Sequence, residues 1–254
     1  MTIGRSLSIA RHDLRIMRRD SFPVVLLVVM PLVGMVFMKS AFQPTLVDEG
    51  LRSPNGAEQA VPGMSITFGF LLVSFIGYGF FREHAWTTWD RLRAGPASTS
   101  EIMLGKAMGS MALAALQFML VFGLGSLLMG LAVHGSWVEI FAVGASYGLF
   151  VVAAGLAIAA MCRTVMQSNA IAYLGMVVLA CLGGALIPKS LLPHWAEAIS
   201  PAAPSYWAMR GYRDAILGQG SALLPVAVLL AFAAALAVVA IVRMRFDETK
   251  IGFA

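Results

Sequence analysis

Apolar residues in this chain come in long unbroken runs rather than in alternation. A helix that crosses a bilayer needs about 20 mostly apolar residues. Six stretches supply them, at roughly Phe22–Met38, Met64–Phe81, Ala107–Val133, Trp137–Met161, Ala170–Pro188 and Ala222–Val242. The first is short and holds Pro31, which predicts a kink, and the third is long enough to tilt. The strict apolar–polar alternation of a membrane β-barrel is absent. Ahead of the first run, Ile3, Leu7, Ala10, Leu14 and Met17 recur at alternate spacings of four and three, which draws one apolar stripe on a helix. Arg5, Arg11, Arg15, Arg18 and Arg19, with His12, cover most of the remainder. The pattern predicts an amphipathic helix over residues 1–20 that lies in the cytoplasmic membrane interface, its arginines near lipid phosphates. A short helix packed on the protein's own loops is the alternative.

Composition agrees with the spans. Of 254 residues, 59% are hydrophobic and 12% charged, against about 25% charged in soluble domains. The chain reads as an all-α integral membrane protein, a single transmembrane domain over 1–254 with a six-helix membrane region over 22–242 and a tail over 243–254. The run at Phe22 is a span and not a signal peptide, because Asp13 and Asp20 precede it and no A-x-A-like site follows. The net charge of +5 is unevenly placed. One side of the bilayer receives Arg5, Arg11, Arg15, Arg18, Arg19, Arg82, Arg91, Arg93, Lys106, Arg163, Arg243, Arg245 and Lys250. The other receives Lys39, Arg52, Lys189, Arg210 and Arg213. Positive charge collects in the cytoplasm, so both termini are expected inside, in a multi-pass protein of a bacterial plasma or inner membrane. Basic character of this kind serves topology and anionic membrane lipid, with no nucleic-acid partner.

Between the second and third spans lies Arg82-Glu83-His84-Ala85-Trp86-Thr87-Thr88-Trp89-Asp90-Arg91-Leu92-Arg93-Ala94-Gly95-Pro96, ended by a helix stop at Gly95-Pro96. Trp86, Trp89 and Leu92 share a face at helical spacing. Paired tryptophans with both charge signs suit a docking element. They equally suit an aromatic belt at the headgroup level.

This segment resembles the cytoplasmic gate segment of type-2 ATP-binding-cassette exporter permeases, whose pattern runs approximately R-E-R-E-x-G-T-L-E-R-L-L-A-T-P. Arg82, Glu83, Thr88, Arg91, Leu92, Ala94 and Pro96 match it, and Trp89 and Asp90 are substitutions of similar character. Ala85 and Thr87 depart from the family's Glu and Gly, which removes one charge contact and stiffens the turn. Leu104-Gly105-Lys106 fits the L-G-K that opens the third span. Pro188, Leu192-Pro193-His194-Trp195, Pro201 and the stretch from Pro204 to Gly218 resemble the outer loop after the fifth span. The resemblance implies that residues 1–20 form a connecting helix. It implies a coupling helix in which Arg82, Glu83, Trp86, Trp89, Asp90, Arg91 and Leu92 touch a nucleotide-binding subunit. It further implies short helices that cap the exit, with Trp195, Tyr206 and Trp207 as an outer gate. Two such chains would join two ATPase subunits, as a homodimer or heterodimer.

No nucleotide motif is present in the chain itself. Gly105-Lys106 comes nearest to a Walker A, but Ser100 and Ala107 occupy its deciding positions. No cofactor is therefore expected here, and ATP and Mg belong to the partner. Carboxylates are confined to loops, tails and span edges, which argues against a proton-coupled antiporter. The four histidines are dispersed, so no metal site is expected. Cys162 and Cys181 lie at different depths and are expected free. Among neutral polar groups in the spans, Gln117, Ser126 and Asn169 are candidates for a substrate path, with interhelical contact as the other reading of Gln117. An apolar path favours a hydrophobic or amphipathic cargo such as a drug, antibiotic or lipid. A polysaccharide or lipid-linked glycan ranks second, and a non-transporting membrane anchor or sensor subunit is the reading from another class.

Overall fold

The computed structural model describes residues 3–19, 22–49, 54–85 and 99–243. These form α1 (Ile3–Arg19), α2 (Phe22–Asp48), α3 (Ala57–Phe70), α4 (Leu72–Ala85), α5 (Thr99–Met129), α6 (Trp137–Met161), α7 (Val165–Leu182), the short α8 (His194–Ile199), α9 (Pro204–Leu217) and α10 (Leu223–Arg243). The described residues are helical wherever regular structure occurs. Six spans are long and apolar enough to cross a membrane, the second being α3 and α4 together. This is an all-α, multi-pass architecture.

Burial sorts the spans into a core and a shell. In the α3–α4 span and in α6, 72% of the most apolar window is buried, against 22% in α2, α7 and α10. α6 is the spine, packed most extensively on α10 and then on α4, α9 and α5. Outside it, Phe37, Leu127, Leu174, Val238 and Ile241 are exposed apolar side chains. In a bilayer such side chains face lipid at no cost, because helices satisfy their own backbone.

Helix boundaries depart from the sequence expectation in several spans: α5 starts at Thr99 rather than Ala107 and stops at Met129 rather than Val133, and four further departures accompany polar contacts. α2 continues through Pro31 and Pro44 to Asp48. Its extra turns bury Phe42 and Leu46, and the Lys39 ammonium donates to the Met129 carbonyl at 2.7 Å. α3 begins at Ala57 rather than Met64 because Gln59 is buried, its amide donating to the Gly184 carbonyl at 2.6 Å. α7 begins at Val165, where the Thr164 hydroxyl caps the helix by accepting from the Gln167 amide, and it ends at Gly183. The fourth departure is an interruption at Leu71, inside the second span. One turn earlier the Tyr147 hydroxyl donates to the Ile66 carbonyl at 2.9 Å, a side-chain donor on the helix ladder of the kind that accompanies breaks.

α1 forms where its periodicity predicts it and packs along the start of α5. The contact face holds Ser6 and Ala10, both buried, and the Ser6 hydroxyl donates to the Glu101 carbonyl at 3.0 Å. Leu7, inside the predicted stripe, is exposed. Gly105 permits the approach, since a Cβ there would meet the Ser6 carbonyl oxygen at 2.7 Å. Gly144 and Gly148 likewise serve packing within the chain, against Phe118 and Met111. Cys162 and Cys181 are not joined in a disulfide.

Gly63 marks the closest approach of α3 to the chain after α7, where a Cβ would lie 2.3 Å from the Ala185 carbonyl oxygen. Backbone cannot swing aside as a side chain does. Gly63→Ala should therefore destabilise the chain by about 1–3 kcal/mol, the usual cost of overpacking. Gly123→Ala, inside α5 and with nothing within 4 Å of the added carbon, should hold stability or raise it by up to about 1 kcal/mol. Thermal unfolding of both variants in lipid checks the contrast.

Candidate functional site

The end of the bundle opposite α1 carries the polar architecture. α5 runs from its contact with α1 to Met129, and α6 returns from Trp137. At this end α9 is sunk among the spans. With 14 residues it is roughly 21 Å long, too short to cross a bilayer core of about 30 Å. Its terminal carbonyls have no continuing ladder, and the connection between α5 and α6 meets them. The amides of His134 and Gly135 donate to the Ile216 carbonyl at 2.8 and 3.2 Å, and that of Ser136 donates to Ala215 at 3.0 Å. Gly218, at φ 66°, closes the helix in the left-handed conformation that suits glycine. At the other end of α9 the Ser205 hydroxyl donates to the Leu179 carbonyl of α7 at 2.5 Å.

One face of α9 points into the bundle and builds an aromatic cluster. Tyr212 is fully buried, stacked on Phe118 at 6.1 Å and tilted against Phe122 at 5.1 Å. Phe70, Tyr147 and Phe150 continue the cluster toward α3 and α6. The opposite face presents cations. Arg213 forms an ion pair with Glu49 at the end of α2, while Arg210 stands 3.9 Å from Asp214 and 5.6 Å from the Trp207 ring. Lys189 lies 3.3 Å from Glu197 and 5.6 Å from the Tyr206 ring. Burial raises the Asp214 carboxyl above its ordinary value and Glu139 adds to that, while Arg210 and Arg213 pull it down.

The expected gate residues are partly brought together here. Tyr206 and Trp207 meet edge to face at 5.4 Å, and the Trp207 indole donates to the Pro201 carbonyl at 2.8 Å. Trp195, on α8, is exposed. The path candidates do not converge. Gln117 is buried in a cavity of about 20 Å³ lined also by Ser65, Phe118, Tyr147 and Tyr212. Pockets that hold drug-sized ligands measure about 300–1,000 Å³, so this is a packing site between α3, α5, α6 and α9. Ser126 lies nine positions further along α5, roughly 13 Å along its axis. Asn169 is in the first turns of α7, next to Ser168, whose hydroxyl faces Gly77 of α4. Gln117, Ser126 and Asn169 each keep a buried polar atom with no hydrogen-bond partner among the described residues.

On the α1 side, Arg11 and Arg15 are exposed, whereas Arg5, Arg18 and Arg19 lie in α1 with side chains outside the description. Arg82 and Glu83 fall in the last turn of α4, their side chains likewise outside it. Trp86, Trp89, Asp90, Arg91 and Leu92 lie outside the described residues. Sequence reasoning missed Tyr147, and it named Tyr212 only among the aromatics of the outer segment, not as the buried side chain that ties α9 to the core. Their signal is the set of small residues near them: Gly69 opposes the Tyr147 ring, and Ser65 lines the same small cavity as Tyr212.

The family model described as ABC-2 type transporter matches residues 6–217, most of the chain. The chain is 27% identical over 137 residues to the "Probable multidrug ABC transporter permease YbhR" of Escherichia coli strain K12. The same figures hold for the protein of that name in Escherichia coli O157:H7. The match covers 54% of this chain and 37% of the relative, so it spans little more than a third of the curated relatives' length.

The two polar groups of the core, Tyr147 and Gln117, should respond oppositely to removal. Tyr147→Phe deletes a made hydrogen bond and should lower stability by about 0.5–1.5 kcal/mol. Gln117→Leu deletes a buried amide that has no hydrogen-bond partner among the described residues, and should hold or raise the melting temperature. A lower melting temperature for Gln117→Leu would show that the amide holds a contact worth keeping.

Proposed function

The chain belongs to the ABC-2 type transporter family, and on that premise we propose that it is the membrane-spanning permease subunit of an ATP-driven exporter. The energy comes from a separate ATPase subunit with ATP and Mg, and the cargo is a hydrophobic or amphipathic molecule such as a drug, antibiotic or lipid. Two copies, or two related chains, join two ATPases. Both termini lie in the cytoplasm, in accord with the Lys and Arg distribution.

The observation that carries this reading is the packing of α1 on α5. Ser6, Ala10 and Gly105 hold the N-terminal helix against the helix that follows the Arg82–Pro96 segment. α4, ending at Ala85, leads into that segment, and α5, starting at Thr99, leaves it. An ATPase closing on Arg82–Leu92 therefore pushes on α4, α5 and α1 together. The apolar character of the spans supports the cargo class, as does the similarity to a probable multidrug permease.

Under this reading the double replacement of Trp86 and Trp89 by Ala weakens binding of the ATPase subunit and leaves membrane insertion intact. Co-purification of the ATPase with each form of the permease, from membranes carrying equal amounts, checks it. Undiminished co-purification with the double variant would remove these tryptophans from the coupling contact. ATP hydrolysis in lipid should appear only when both subunits are present and should rise with the transported compound.

A further inference from the structure

The cation-bearing face of α9 borders a cavity of about 240 Å³ that the exporter reading does not use. Tyr206, Met209, Arg210 and Arg213 line one wall, at positions that recur on a single helical face. Lys189 and Gln59 complete it, with the backbone of Gly183 and Gly184 as floor. Among the described residues, no carboxylate lines it. The acidic partners stand outside: Glu49 holds Arg213, Glu197 holds Lys189, and Asp214 approaches Arg210 at 3.9 Å.

These pairs leave donors to spare. An Arg guanidinium carries five N–H groups and a Lys ammonium three. Half-exposed pairs such as Lys189–Glu197 bind weakly, and 3.9 Å is beyond hydrogen-bond range for Arg210. Both cations are nevertheless held in place, Lys189 over Tyr206 and Arg210 over Trp207. Gln59 is committed to the Gly184 carbonyl, so the wall is fixed at its base as well. Convergent, positioned cations with spare donors match a group with several anionic oxygens, as a phosphate has.

The surroundings narrow the source. Ile187 and Leu191, two positions either side of Lys189, and Trp195 and Ile199, on α8 with Glu197, are exposed. Apolar side chains next to cations mark the headgroup level of a bilayer, where snorkelling Lys and Arg meet lipid phosphates. The volume is below that of pockets for drug-sized ligands and suits a head group with its acyl chains outside. We propose that the cavity framed by Lys189, Arg210 and Arg213 beside α9 binds a phosphate group, supplied by the head group of an anionic phospholipid. The proposal concerns the permease chain alone and stands apart from its coupling to an ATPase.

The test is native mass spectrometry of the full-length chain released from vesicles with equimolar phosphatidylglycerol and phosphatidylcholine. The chain should retain phosphatidylglycerol in preference, and the Lys189→Gln/Arg210→Gln double variant should bind it at least about tenfold more weakly. Lys189→Gln alone, on an exposed turn, provides a variant whose folding is not in doubt and should show part of the loss, which Lys189→Arg should restore. Inorganic phosphate is the second probe. Competition by it against the lipid shows that the site takes the free anion too, whereas no competition shows that the acyl chains contribute; both support phosphate recognition. Equal retention of the two lipids by the unmodified chain would overturn the proposal. So would full retention of phosphatidylglycerol by a folded double variant.

Discussion

Carbonyl oxygens left over where helices end or break, with no water in a bilayer core to meet them, govern this fold. The chain answers with donors from elsewhere in the sequence. Lys39 serves Met129, Gln59 serves Gly184, Ser205 serves Leu179, Tyr147 serves Ile66, and the amides at 134–136 serve the last turn of α9. Four of these five contacts lie at the end opposite α1. They let a short, irregular cap sit inside a bundle that is otherwise regular, and they fix α9 where its two faces can do different work.

The second requirement is close approach, and glycine meets it at a few points. Gly63 accepts the backbone of Ala185, and Gly135 accepts that of Ala215, each at a distance no Cβ would tolerate. With those contacts made, Tyr212 reaches Phe118 and Phe122 while Arg210 and Arg213 stay toward the opposite side. α1 uses the same device at the other end, with Gly105 against Ser6. The part of the protein expected to meet the ATPase and the part expected to meet the exterior are thus both seated by small residues.

Hydrophobic runs made six spans, α1 and an all-helical class legible, because lipid exposure selects long apolar stretches directly. Trp137–Met161 needed no revision at either end. Boundaries set by polar side chains were hidden: nothing local shows that Lys39 will reach Met129, or that Gln59 will be buried. The break at Leu71 was hidden for the same reason, since its partner Tyr147 is far away in sequence. Site residues divide in the same way. Tyr206 and Trp207 were legible from the aromatic, proline-rich stretch that holds them. Gln117 was legible as an interior amide, yet its tight enclosure depends on four helices meeting. The gate segment rested on motif resemblance, and its tryptophans fall outside the described residues.

The interruption at Leu71 alters how the second span can behave as a mechanical part. An unbroken helix is a strut, and displacement at one end appears at the other. Here the strut has a joint near its middle. α3 is pinned at its far end by Gln59 and Gly63, whereas α4 runs on toward the segment at Arg82. α4 is not loose beyond the joint but lies packed along α6 and α7, and Tyr147 of α6 ties α3 just before the break. Under the proposed coupling, a push on α4 would then pass sideways into α6 and on to α9, besides along α3.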